Sequence, residues 1–279
     1  MKASAFDYLR PSTLDEAVAM LSEAVASGRD AQCLAGGQSL LAMMNLRVSS
    51  PALLIDIGRL PELCRVHDEA NTTRFGACVT HSTIEDGRSP DPSRGLMPKV
   101  AENFSYRAVR TRGTIGGSLA LSDPAGDWVA VMRALDAQIG LIGRKGRRVV
   151  RAVEFTTGIY ETLREPDEIL ECVTIRKLSS SSGWGVSKFA RKTGEFAESL
   201  AVAVIDPAQN HARIVLGGVQ GAPINLARAS DAFKQGAESD DVRCAALHDL
   251  QDSRQDFDEY QRGLHIEMIS RAVAQARAS

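Results

Sequence analysis

The sequence has little of several features that would assign a protein to a class at once. No stretch approaches the roughly 20 apolar residues that a membrane-spanning helix needs, and Lys2, Asp7 and Arg10 interrupt any signal-peptide core at the amino terminus. Lysine and arginine number 33 against 35 aspartate and glutamate residues, so the basic excess of a nucleic-acid binder is missing. We therefore expect a cytoplasmic protein with no membrane span and no nucleic-acid partner.

Cysteine and histidine are scarce and scattered. The five cysteines are odd in number and never form a C-x-x-C pair, which is typical of a reduced compartment. The five histidines show no paired metal-ligand spacing. We expect no metal in this chain, no catalytic acid, base or nucleophile, and cysteines that act as small apolar core residues.

Helical and strand-like patterns alternate along the 279 residues, which predicts an α+β fold. An apolar stripe at helical spacing follows Ser12 or Thr13 and indicates a capped helix. Short runs typical of strands come next, in the order AQCLA, ALLIDIG, TRFGACVTH and ILECVTI. The helix after the third run is predicted to begin at Ser82 or Thr83.

Two further elements are predicted between the third and fourth of these runs. Asp123-Pro124 is a favourable helix entry, because proline at the first helical position lacks only an N–H that would be unpaired. A helix capped by Asp123 is therefore predicted over 124–135. The run QIGLIGRKGRRVVRAVEF predicts a hairpin whose basic turn is solvated, rather than a nucleic-acid patch.

The segment KLSSSSGWG is the best candidate for a domain boundary. Four serines and a glycine follow the last strand of the first part of the chain. We expect one domain over 1–178 and a second over 183–279. In the second domain, SLAVAVIDPAQNHARIVLGGV predicts an antiparallel strand pair, and three helices follow it.

Two glycine pairs are the strongest chemical signal. Gly36-Gly37 and Gly116-Gly117 each follow a short apolar or β-branched stretch and precede a serine and then a leucine. Paired glycines let successive N–H groups converge on an anion, because no Cβ prevents close approach. One such segment is more often a plain turn, but two of matched composition are better explained if both face one pyrophosphate. A Cβ at Gly116 would then occupy the space of the phosphate.

Neither glycine pair fits G-x-G-x-x-G or the P-loop pattern, so the Rossmann and P-loop folds lack their fingerprint. Instead, LAGGQSLLAMMNLR with RTRGTIGGSLALSDPAGDW resembles the paired flavin-binding motifs of the FAD (medium) subunit of molybdenum hydroxylases, the carbon monoxide dehydrogenase and xanthine dehydrogenase family. The segments DEIL, SKFARKTGEFA and LGGVQGAPI are similar to later landmarks of that family in the same order. The resemblance covers essentially the whole chain.

The resemblance implies a two-lobed FAD-binding domain of the vanillyl-alcohol-oxidase (PCMH) type, with lobes of about 1–57 and 58–178, and a carbon monoxide dehydrogenase flavoprotein-like α+β domain over 183–279. It also implies which residues bind FAD. The two glycine segments would hold the phosphates, and the remaining positions would lie near the adenine or the flavin. The matching residues are Cys33, Leu34, Ala35, Gly36, Gly37, Gln38, Ser39, Leu40, Phe104, Thr114, Ile115, Gly116, Gly117, Ser118, Asp123, Asp127, Leu170 and Lys188.

By the same resemblance, the chain is an oxidoreductase subunit that passes electrons from iron–sulfur clusters through FAD to NAD, a quinone, a cytochrome or oxygen. Its partners would be a small iron–sulfur subunit and a large subunit with the molybdenum cofactor, assembled as a dimer of heterotrimers. Two alternatives are a free-standing FAD-dependent oxidase or reductase of the same fold and a non-catalytic scaffold derived from it. The short segment from about residue 183, with few aromatic residues, favours the subunit over the free-standing enzyme.

Overall fold

The computed structural model describes residues 2–253 and 255–279, and the chain begins with a small parallel sheet. Its strands lie in the order β1-β3-β2, and helix α1 connects β1 to β2. The hydroxyl of Thr13 caps α1 by accepting the N–H of Glu16 at 3.2 Å. The elements of this part are β1 (Asp7–Leu9), α1 (Leu14–Ala26), β2 (Ala31–Leu34), α2 (Leu40–Asn45), β3 (Leu53–Asp56) and α3 (Pro61–Cys64).

An antiparallel sheet follows, with strand order β4-β5-β10-β6-β7. Its strands are β4 (Val66–Asp68), β5 (Thr72–Gly76), β6 (Gln138–Gly143), β7 (Gly146–Arg151) and β10 (Ile169–Arg176). Helices and a small two-stranded pair fill the connections: α4 (His81–Glu85), α5 (Leu96–Glu102), α6 (Arg107–Arg110), α7 (Ile115–Leu121), α8 (Asp127–Ala134), α9 (Ala152–Phe155), β8 (Thr156–Gly158) and β9 (Glu161–Thr162).

The last part of the chain forms an antiparallel sheet in the order β11-β12-β13-β14, covered on one side by three helices. Its elements are β11 (Gly183–Phe189), β12 (Ser199–Asp206), β13 (His211–Gly217), β14 (Ile224–Asn225), α10 (Ala227–Lys234), α11 (Ser239–Asp252) and α12 (Glu259–Ala278). The predicted α+β class is confirmed, and so are the strand pair and the three helices of this part.

Strand β12 is buried on both faces because two cores meet on it. Leu200, Val202 and Val204 belong to the same apolar cluster as Trp128 of α8. Ala201 and Ala203 point to the other side and belong to the cluster that includes α12. This alternation follows from the period of two along a strand.

Helix α8 is surrounded on all sides, and all eight of its residues are buried. Its one buried guanidinium, Arg133, donates to the carbonyl of Pro223 at 2.8 Å and to that of Thr156 at 2.7 Å. In return, Arg213 of β13 donates to the Arg133 carbonyl at 2.8 Å. These hydrogen bonds therefore fix α8 between the β8–β9 pair and the last sheet.

Two helix starts were predicted wrongly. Helix α8 begins at Asp127 rather than at Pro124, because Asp123 Oδ1 accepts the N–H of Ala125 at 2.9 Å and closes a separate turn. Helix α4 begins at His81, and the hydroxyl of Thr80, rather than Ser82 or Thr83, accepts the N–H at N3. At α4 a neighbouring hydroxyl therefore takes the capping role, whereas α8 begins after Gly126 without a side-chain cap.

The cysteines differ in part from expectation, whereas the basic hairpin forms as predicted. Cys78 and Cys172 are buried, but Cys64 and Cys244 are exposed, so the prediction of core cysteines was wrong for those two. Basic side chains of the β6–β7 hairpin bond to carboxylates of the fold: Arg147 to Glu171, Arg148 to Glu168 and Arg151 to Asp136. These three pairs leave Arg144 and Lys145 exposed at the turn, so the predicted solvated turn is confirmed. Across the described residues, no helix has both the length and the apolar surface to traverse a bilayer.

Candidate functional site

The two glycine segments, one after strand β2 and one at the start of helix α7, lie against each other. The first runs from Cys33 and Leu34 at the end of β2 through the loop 35–39 to Leu40, the first residue of α2. A Cβ added at Gly36 would lie 2.0 Å from the carbonyl oxygen of Arg112, just before the second segment. A Cβ at Gly117 would lie 3.9 Å from that of Ala35. Glycine at 36 is what allows the two backbones to approach this closely.

The first segment offers unused backbone donors. Among the hydrogen bonds within the described residues, none uses the N–H groups of Gly36, Gly37, Gln38 or Ser39. Gly37 has a φ of +75°, which turns the chain, and its carbonyl accepts the N–H of Leu41 at 3.2 Å as α2 begins. Consecutive free amides in such a turn form a concavity for an anion, so this segment fits a phosphate group.

The second glycine pair lies in helix α7 and not in a loop. The hydroxyl of Thr114 caps α7 by accepting the N–H of Gly117 at 3.1 Å, and the N–H of Gly116 bonds to the Ala77 carbonyl at 2.9 Å. A Cβ at Gly116 would lie 2.4 Å from Cβ of Ala77, so the prediction that it would fill the space of a phosphate was wrong. What α7 can present to a ligand is its half-buried first turn at Gly117 and Ser118.

Asp127 and Lys188 form a buried ion pair between α8 and β11. Lys188 Nζ lies 3.0 Å from Asp127 Oδ2, with side-chain exposures of 18% and 7%. Burial raises the pKa of Asp127, and the Lys188 ammonium opposes that rise. The pair therefore depends on both partners, because removing one would leave a buried charge without a counter-ion.

Phe104 belongs to a stack of three aromatic rings. It lies 4.5 Å from the His81 ring at an interplanar angle of 13°, and 5.2 Å from Trp128. Trp128 Nε1–H donates to His81 Nδ1 at 3.0 Å, and burial lowers the pKa of His81 to about 4. His81 is therefore neutral at pH 7, with its proton on Nε2.

The remaining candidates have different surroundings. Asp123 Oδ2 accepts a hydrogen bond from the Tyr160 hydroxyl at 3.0 Å. Leu170 is buried in β10, against which α7 packs, and the Ile115 side chain is buried in the same core. Burial also raises the pKa of the Cys33 thiol to about 11, so it is protonated and no nucleophile. The structure thus joins the two glycine segments, and Asp127 with Lys188, but leaves the side chains of Leu170 and Ile115 inside the core.

Sequence reasoning missed His81, Trp128 and Tyr160. His81 and Trp128 contact Phe104, and Tyr160 donates to Asp123, but each lies 23 to 37 positions from the predicted site residue that it contacts. No local pattern links such distant positions. The only available signal was the adjacency of Trp128 to Asp127 in the sequence.

The free amides of residues 36–39, in contact with the segment that leads into α7, define a site that fits a phosphate-bearing cofactor. Residues 4–177 match the family model of the FAD binding domain in molybdopterin dehydrogenase. The chain belongs to this family, and it is an oxidoreductase subunit of the molybdenum hydroxylase type with FAD as its cofactor.

Two curated relatives and one solved structure match over nearly the whole chain. The nicotine 6-hydroxylase medium subunit of Paenarthrobacter nicotinovorans is 32% identical, over 100% of this chain and 99% of that protein. The carbon monoxide dehydrogenase medium chain of Hydrogenophaga pseudoflava is 35% identical, over 98% of this chain and 97% of that protein. A structure of carbon monoxide dehydrogenase from the latter organism superposes with a TM-score of 0.92 at 33% identity, over 100% of this chain and 99% of that one. The predicted family is confirmed.

Proposed function

We propose that this chain relays electrons from the iron–sulfur clusters of a small partner subunit to an external acceptor such as NAD, a quinone, a cytochrome or oxygen. A large subunit with the molybdenum cofactor would hydroxylate the substrate, and the complex would be a dimer of heterotrimers. Support comes from relatives that are named medium subunits or medium chains and that match over nearly their full length. We also place the complex in the cytoplasm, in line with the free cysteines of the described residues.

The observation that carries this proposal is the contact between the two glycine segments. The free amides of residues 36–39 would donate to the diphosphate of FAD from one side, and the first turn of α7 would border it from the other. Bound FAD would supply the redox chemistry, accepting electrons one or two at a time and passing them on. The chain itself would then have only to bind and orient the cofactor.

Three other groups would shape the rest of the FAD site. Phe104, held by its stack on His81, would present a ring edge or face to the cofactor. The ion pair of Asp127 and Lys188 would set the charge near the flavin while keeping both charges fixed. We also propose the division into 1–178 and 183–279, with the FAD site bordered by both parts, since Lys188 comes from the second and Asp127 from the first.

The test begins with purification of the complex from its native host through a tag on this chain. We expect two partners of different size, FAD, iron and molybdenum in one peak on gel filtration. A complex that carries a FAD-deficient variant should still reduce a dye that accepts electrons before the flavin, but should no longer reduce the natural acceptor. Isolation of this chain with FAD but with no iron- or molybdenum-bearing partner would overturn the proposal.

A further inference from the structure

A cleft of about 170 Å³ lies at the carboxyl ends of β1, β3 and β2 and shares Ala35, Gly36 and Thr114 with the candidate FAD site. Arg10 follows β1, Arg59 lies just beyond β3 and Arg112 precedes α7, and all three line this cleft. Within the part of the chain that the structure describes, no carboxylate pairs with any of them. By contrast, Arg110, two residues before Arg112, is paired with Glu85 at 2.8 Å.

The single carboxylate of the cleft is already engaged. Asp56 accepts hydrogen bonds from the Tyr8 hydroxyl and, at 3.0 Å, from the N–H of Gly58. The bond to Asp56 raises the pKa of Tyr8, and the charges of Arg10 and Arg59 oppose that rise. Both guanidinium groups therefore act at this end of the cleft. Three arginines against one aspartate leave it with an excess of positive charge.

The size and polarity of the cleft limit what it can hold. At about 170 Å³ it is smaller than the ~300–1,000 Å³ of ordinary small-molecule sites, so it accommodates only one group of a larger ligand. Thr114 lines it, and the Thr114 hydroxyl accepts the Gly117 N–H, so its own proton is available for a further acceptor. Guanidinium groups donate paired hydrogen bonds to phosphate oxygens, and a hydroxyl group can donate a further one.

We propose that this cleft binds a phosphate or diphosphate group through Arg10, Arg59 and Arg112. Two sources share that chemistry. One is the diphosphate of FAD reaching past Gly36, in which case the inference rests on the proposed function. The other is a separate phosphorylated small molecule. The lining accommodates either source, because Ala35, Gly36 and Thr114 of the candidate FAD site contribute to the cleft, whereas residues 37–40 and 115–118 do not.

The experiment uses the full chain, both FAD-loaded and stripped of FAD, and the triple variant Arg10→Gln/Arg59→Gln/Arg112→Gln. Calorimetric titrations measure the affinity of both forms for inorganic pyrophosphate. They also measure the affinity of the stripped form for FAD and for riboflavin. Because the three side chains contact no carboxylate among the described residues, the variant should fold, which its melting temperature checks.

A matched control removes the same charge elsewhere. Arg144, Arg243 and Arg262 are exposed and lie outside the cleft, and their triple change to Gln should leave all affinities within about twofold of those of the unmodified chain.

A separate ligand is indicated if pyrophosphate binds the FAD-loaded chain and the cleft variant weakens that binding by about tenfold or more. The FAD diphosphate is indicated if pyrophosphate binds only the stripped chain and the variant weakens FAD, but not riboflavin, by about tenfold. Absence of pyrophosphate binding, together with unchanged FAD affinity in the variant, overturns the inference. If the unmodified chain binds no FAD, the proposed function fails. Binding of pyrophosphate to the unmodified chain and to the cleft variant still tests the inference about the cleft.

Discussion

Gly36→Ala is the sharpest single test of the candidate FAD site. The added Cβ would start 2.0 Å from the Arg112 carbonyl oxygen and 2.7 Å from the carbonyl carbon, whereas real Cβ contacts essentially never fall below 3.0 Å. Because both obstacles are backbone atoms, no side chain can rotate away. The two glycine segments must therefore separate by about 1 Å.

This separation should affect ligand binding more than folding. Overpacking of this size costs about 1–3 kcal/mol of the free energy of unfolding. The donors of this site are backbone amides, which are fixed by the fold. We therefore expect a displacement of about 1 Å to lower the affinity for FAD by roughly a hundredfold. We therefore expect a folded variant that loses FAD on gel filtration.

The assay compares the ratio of flavin to protein absorbance after gel filtration with the melting temperature of the stripped chain. Gly263→Ala is the matched control, because nothing lies within 4 Å of a Cβ at that helical position. Full retention of FAD by Gly36→Ala would show that the two segments do not jointly hold the cofactor, and would refute the reasoning.

Three other outcomes are expected. Gly263→Ala should raise the free energy of unfolding by about 0.5–1 kcal/mol in urea titrations, because alanine loses less backbone entropy in a helix. Lys188→Met should lower it by about 3 kcal/mol, since the buried Asp127 carboxylate loses its counter-ion, and Asp127→Asn in the same background should restore part of that loss. Burial lowers the pKa of His81 from 6.5 in the unfolded chain to about 4, so its contribution to stability is complete above pH 6.5 and is lost as the pH falls towards 4. His81→Gln should reduce the slope of unfolding free energy against pH between 7 and 5 by up to about 1.4 kcal/mol per pH unit, and an unchanged slope would contradict the assignment.

The sequence predicted the elements well where one local signal acted alone. The Thr13 cap and the hairpin turn of β6–β7 are such cases. It failed where several polar side chains competed. Thr80, Ser82 and Thr83 are all adequate caps, and a β-bridge from Thr80 to Thr114, 34 residues away, accompanies the choice of Thr80.

The residues of the candidate site were likewise predictable from the sequence only in part. Glycine pairs are visible in a sequence because glycine alone tolerates close backbone approach. Which atoms approach each other depends on the tertiary structure: a Cβ at Gly36 would meet Arg112, whereas a Cβ at Gly116 would meet Ala77. The stack of His81 on Phe104 and the pairing of Asp127 with Lys188 likewise arise only after the sheets are assembled.

The double burial of β12 makes the last hundred or so residues inseparable from the rest. A truncation after residue 178 would expose Trp128 and the rest of α8 to water. Because exposed apolar surface is unfavourable in water, copies of the fragment would associate through it. A dissected amino-terminal fragment is therefore a poor surrogate for the intact polypeptide, however well its sequence matches a single family profile.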